Sequence, residues 1–178
     1  MAVPGSNSSP EGSFLVYPTL IGGTNFQAPS YSLLTGLFYL EYQESGQVFA
    51  SAPAFVERGR QYIGRAAGRG APPARGPNEP APNSGIKAID PETGKTVWDV
   101  KTFAGSATNG LVSTGGGVVF ASVRDGNIVA LDAKTGKHLW HFMTGGNNGA
   151  NPISYAINGR QFVALAAGNT VYSFALPE

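Results

Sequence analysis

The chain is 178 residues long, 42% hydrophobic and only 13% charged, with 25 glycines and 13 prolines; that mix fits one turn-rich β domain and excludes a coiled coil or a charged disordered chain. Twelve Lys and Arg against eleven Asp and Glu leave a net charge of +1, so no overall field draws the chain to nucleic acid or to an anionic membrane surface. The lack of cysteine removes disulfides, thiol nucleophiles and thiolate metal sites, the two histidines argue against zinc catalysis, and no apolar run approaches the 18 residues of a membrane span.

From the N-terminus, residues 1–13 are small and polar and read as a disordered tail; they lack the basic-then-apolar order of an export signal. Phe14-Leu15-Val16-Tyr17 predicts a strand that looks like the last strand of a sheet whose remainder is absent. Ala28-Pro29-Ser30-Tyr31 then opens a new sheet, with a turn at Thr35-Gly36 and a second strand over Leu37-Phe38-Tyr39-Leu40. Between about residues 45 and 84 the pattern is interrupted by a Gly, Pro and Arg-rich insertion. It carries Arg58, Arg60, Arg65, Arg69 and Arg75 against only Glu57 and Glu79, and its second half is Pro-rich and extended. Its arginines either meet an acidic partner or anionic ligand or form a solvated loop.

Beyond the insertion an internal repeat emerges. Ala88-Ile89-Asp90-Pro91-Glu92-Thr93-Gly94-Lys95-Thr96-Val97-Trp98 returns 42 residues later as Ala130-Leu131-Asp132-Ala133-Lys134-Thr135-Gly136-Lys137-His138-Leu139-Trp140. A period near 42 is that of a four-stranded propeller blade. The second copy supports this strand by strand: Leu111-Val112-Ser113, Val118 to Ser122, Ile128 to Leu131 and His138 to Phe142, joined by tight turns such as Asp125-Gly126 and Thr135-Gly136. A third copy offers Ile153 to Tyr155, Gln161 to Leu165 and Val171 to Phe174, with no fourth strand. In the first copy Phe38 lies 52 residues before Asp90, against 12 for Phe120 and Asp132, which sizes the insertion at 40 residues.

The predicted fold is therefore all-β: a partial β-propeller of about three four-stranded antiparallel blades, near residues 25–100, 107–142 and 152–176. Three blades do not close a ring, since propellers use about four to eight. The chain reads as a fragment whose missing blades come from elsewhere or from a self-assembled copy.

In such a meander, with strands A to D in each blade, the D-to-A and B-to-C connections emerge on one face and the A-to-B and C-to-D turns on the other. The first face gathers 22–27, 105–110, 145–151 and the insertion, rich in Gly and Asn, which allow close backbone approach and offer both donor and acceptor. The alternative is that Gly and Asn only satisfy left-handed turn geometry. Asp90 and Asp132 recur once per blade and so read as turn-capping groups rather than catalytic bases, and Trp98 and Trp140 as blade-locking residues. On a regular strand His138 and His141, three apart, face opposite sides, which excludes a two-His metal pair. No general base is evident on the Gly and Asn face, and neither a catalytic nor a metal-ligating residue is assigned.

The repeat resembles the tryptophan-docking motif of the pyrroloquinoline quinone (PQQ) dehydrogenases, eight-bladed propellers that oxidise alcohols or sugars. Gly22-Gly23-Thr24-Asn25-Phe26-Gln27-Ala28-Pro29-Ser30-Tyr31, Gly110 to Phe120 and Asn158 to Ala164 are similar to the C-terminal portion of that family. The resemblance implies that Asn25 matches an Asn reaching the quinone, with Phe26 in place of a Trp. Thr108, followed by Asn109, stands where many members place the Trp beneath the cofactor ring. It also implies PQQ as cofactor, calcium whose ligands lie in blades not present here, a cytochrome electron acceptor and a periplasmic setting. The competing class is a non-catalytic propeller scaffold, such as the outer-membrane assembly lipoproteins that share the repeat.

Overall fold

The computed structural model describes residues 13–19, 21–50, 58–59, 81–102 and 108–176. Residues 1–12 of the expected tail and most of the insertion, including Arg60, Arg65, Arg69 and Arg75, lie outside the described residues, while Ser13 opens the first strand. The chain divides into two units, one of residues 1–23 and 44–82, the other of 24–43 and 83–178. In the smaller, β1 (Ser13–Val16) pairs antiparallel with β4 (Gln47–Ala50). The Phe14 run thus forms a strand, and its hydrogen-bonded neighbour comes from the start of the inserted stretch.

The larger unit carries three antiparallel sheets, and the described residues contain no helix. The first sheet is ordered β2 (Ser30–Ser32), β3 (Leu37–Glu44), β5 (Asn83–Ile89), β6 (Thr96–Lys101). The second is β7 (Thr108–Ser113), β8 (Val118–Val123), β9 (Asn127–Asp132), β10 (His138–Met143). The third has β11 (Ile153–Ile157), β12 (Arg160–Ala167) and β13 (Thr170–Phe174). Within each, strands neighbour one another in chain order, with β4 alone passed over because it pairs with β1, and together they make the partial propeller expected from the period.

Alternation along the strands builds the seams. Val119, Ala121 and Leu131 point to the first sheet and bury against Leu37, Tyr39, Ile86, Ala88 and Trp98. Ile128 and half-buried Phe120 point the other way, onto Val163, Leu165, Tyr172 and Phe174 of the third sheet.

The repeated residues build the same turn twice. Asp90 Oδ1 accepts from the backbone N–H of Glu92 and Thr93 at 2.9 and 3.3 Å, and Asp132 Oδ1 accepts from those of Lys134 and Thr135 at 3.1 and 2.8 Å. The Thr93 and Thr135 hydroxyls, with these amides, hold both carboxyls below the usual carboxylate range. Both aspartates are turn-capping groups.

Trp98 lies across the first seam, its Nε1 donating to the Ala133 carbonyl at 3.0 Å. The Tyr39 hydroxyl donates to the same carbonyl at 3.0 Å, and the Tyr39 ring stacks 5.7 Å from the indole. Gly136 combines φ +71° with a position where an added Cβ would sit 2.8 Å from the indole, so the close approach and the left-handed backbone both require glycine. Trp140 is placed differently: it is 37% exposed and rests on Phe142 and Phe174.

One expectation about faces is corrected. β10 shifts register between His138 and Trp140, His138 facing Leu131 and His141 facing Val129. Leu131 and Val129 are two apart on β9 and share a face, so the extra residue at Leu139 puts both histidines on one face. Their ring centres are 5.2 Å apart.

Candidate functional site

Because all three sheets are meanders, five connections meet on one face of the larger unit. They are the approach to β2, the start of β7, the β8–β9 turn, the β10–β11 connection and the β12–β13 turn. A concavity of about 550 Å³ lies there, lined by Phe26, Asn109, Arg124, Asn147, Asn148 and Gly149, with Ala150, Ala166 and Gly168. Its volume falls in the range of small-molecule sites. It opens on the D-to-A and B-to-C face.

The amides are held by the fold. Asn148 is fully buried; its Nδ2 donates to the Asn127 carbonyl at 2.8 Å and its Oδ1 lies 2.9 Å from Thr144 Oγ1. Asn109, also buried, donates through Nδ2 to the Asn148 carbonyl, tying the start of β7 to the β10–β11 connection. Gly110, at φ +111°, leaves room for the Asn151 side chain, which a Cβ would overlap. These asparagines rigidify the wall as well as offering polar atoms to it.

The four residues singled out by sequence divide. Phe26 and Asn109 both line the concavity, the first 78% exposed and the second buried. Asn25 is exposed beside it, its Oδ1 accepting the Phe26 N–H at 2.8 Å, and is not part of the lining. Thr108 begins β7 opposite Val123.

Two residues escaped the sequence reading. Arg124, in the β8–β9 turn, is the one charged side chain lining it among the described residues. Glu41, on β3, is 6% exposed, and burial pushes its carboxyl up to about 7, against the downward pull of the Gly110 N–H and the Arg124 charge. The structure thus places an ionisable carboxyl beside two wall-forming residues, where the sequence reading found no base. Its signal was present: Leu37, Tyr39 and Glu41 share the inward face of a period-2 strand.

One cation, several amides and glycine backbone can answer the negative charge and polar atoms of an anionic ligand. No group of three or more His, Cys, Asp or Glu able to hold a metal ion occurs among the described residues.

Residues 4–163 match the family described as PQQ: glucose/ethanol/alcohol dehydrogenase, β-propeller domain. The quinoprotein alcohol dehydrogenase PedH of Pseudomonas putida is 32% identical over 123 residues, 69% of this chain and 19% of PedH. PedE of the same organism is 33% identical over 111 residues, 62% of this chain and 16% of PedE. The chain thus spans about a fifth of the length of these relatives. Among solved structures, the quinohemoprotein alcohol dehydrogenase ADHIIG of Pseudomonas putida superposes with a TM-score of 0.74 at 24% identity, over 92% of this chain and 25% of that one. The quinohemoprotein alcohol dehydrogenase of Comamonas testosteroni gives 0.70 at 26% identity, over 89% and 24%.

Proposed function

The chain belongs to the PQQ-type β-propeller family of glucose, ethanol and alcohol dehydrogenases, and from that membership we propose that it forms three consecutive blades and part of the cofactor wall of a PQQ-dependent dehydrogenase. In the complete propeller the enzyme oxidises alcohols or sugars by hydride transfer to the quinone, works in the periplasm and passes electrons to a cytochrome. These three blades alone are inactive.

The observation that carries the reading is the concavity shared by the connections of three blades, with Arg124 as its one charged lining residue among those described. PQQ is a planar quinone bearing carboxylates, and the residues present fit one side of it. The Arg124 guanidinium answers a carboxylate or quinone oxygen, Asn147 offers an amide, and Phe26 offers an apolar ring edge. When bound, PQQ supplies the two-electron acceptor for the substrate hydride. This chain's residues bind and orient it: Asn109 and Asn148 hold the wall rigid, while Asn25 stands beside it. Among the described residues no group of three or more His, Cys, Asp or Glu offers calcium a site, and no step is assigned through that ion.

Equilibrium dialysis of PQQ against the purified chain tests the reading. Weak binding that Arg124→Ala reduces about tenfold is expected, with no dye reduction from alcohols or sugars. Absence of binding to the unmutated chain would favour the scaffold class, and calcium-dependent turnover would show that copies assemble into a complete site.

A further inference from the structure

Outside the concavity, the chemistry the family reading leaves unused is concentrated in the two histidines of β10, which are the only histidines in the chain. Every residue of this strand is exposed. The bulge at Leu139 lets two residues three apart in sequence act as residues two apart in a strand, opposite Val129 and Leu131. Their rings come to 5.2 Å, tilted 53° to one another.

That separation has a chemical meaning. With metal–nitrogen distances of about 2.0–2.1 Å and each ring centre about 1.1 Å beyond its nitrogen, two imidazoles on one ion hold their centres about 4.5 Å apart at the right angle of a tetragonal site and about 5 Å apart at a tetrahedral angle, so only a small ring movement separates the pair from either. Stacked rings would instead lie face to face and near parallel. The pair also sits on an antiparallel strand held at both flanks of the bulge by pairing to β9, so the two Cα positions are fixed before any ion arrives.

We propose that His138 and His141 form a two-histidine site for a divalent late first-row transition ion, Cu(II) above Ni(II) and Zn(II). Neutral imidazole suits these ions, and where two nitrogens are the whole protein contribution the affinity order follows the ion rather than the cavity. No third His, Asp or Glu completes a cluster among the described residues, so water fills the other positions and they stay exchangeable. The site lies on the outermost strand of the second sheet, whereas the concavity is built from the connections at the strand ends, so it is independent of quinone binding.

The test is titration of the full chain with Cu(II), followed by calorimetry and by electron paramagnetic resonance. One ion per chain is expected, with nitrogen hyperfine structure from two imidazoles in the unmutated protein. His138→Ala and His141→Ala should each weaken binding at least about tenfold while the far-ultraviolet circular dichroism stays unchanged. The spectrum of the unmutated chain decides even if a variant folds poorly: a single nitrogen donor, or none, overturns the site. So does a folded single variant that binds Cu(II) as tightly as the parent.

Discussion

Trp98 and Trp140 occupy the same place in two copies of one eleven-residue repeat, yet the first is 8% exposed and the second 37%. The difference lies outside the repeat. Trp98 is received by the following sheet, which supplies the Ala133 carbonyl and the bare Cα of Gly136. Trp140 meets the third sheet through Phe174 and leans on Phe142 of its own strand. A repeated residue is therefore half of an interaction, and its energy is set by what the next blade presents.

The largest effect expected from that difference is on stability. Trp98→Ala removes a buried indole and leaves a cavity in the first seam, a loss of about 3–5 kcal/mol by urea unfolding, whereas Trp140→Ala should cost about 1–2 kcal/mol. Equal losses at the two positions would break the comparison.

A second distinction between the seams is electrostatic. Glu41 is buried in the first sheet, while the matching position of the second sheet, 82 residues on, is buried Val123. The folded pKa of Glu41, about 7, lies above its unfolded value, so its contribution is fully present below about pH 4.5 and is lost as pH rises through 7. The total is about 3 kcal/mol. Unfolding free energy should fall across that window, and Glu41→Gln should flatten it. Asp90 and Asp132, with lowered pKa values, act in the opposite sense and only at more acid pH. A slope unchanged in Glu41→Gln would remove Glu41 from the account.

How much of this was legible in the sequence follows from which interactions are local. Strands and turns could be read because the period fixes them: Asp132, Thr135 and Gly136 carry their turn within a few residues. The Gly and Asn connections could be placed on one face because a meander leaves no other choice. The shared face of His138 and His141 could not be read, because a bulge at Leu139 is set by register against β9. The pairing of β1 with β4 was hidden for a similar reason, since a short apolar strand does not name its partner. Arg124 was passed over because Arg-Asp-Gly reads as an ordinary turn, and only the arrival of 147–150 beside it makes a wall.

The last prediction isolates the seat itself from the turn that bears it. Gly94 and Gly136 occupy the same turn position, with φ +69° and +71°, so any side chain meets the same left-handed strain at both. At Gly94 nothing lies within 4 Å of an added Cβ, whereas at Gly136 it would press into the Trp98 ring, whose Cδ2 is 2.8 Å away. Backbone strain alone should make Gly94→Ala cost about 1 kcal/mol. Gly136→Ala carries that cost and must also move an indole pinned by its bond to Ala133 and by the Tyr39 ring, so about 2–3 kcal/mol is expected. The excess should vanish when both changes are compared in a Trp98→Ala background, where the ring is gone and only the turn remains. If it persists there, the glycine serves the turn and not the tryptophan, and the contact between the first two sheets is looser than the geometry describes.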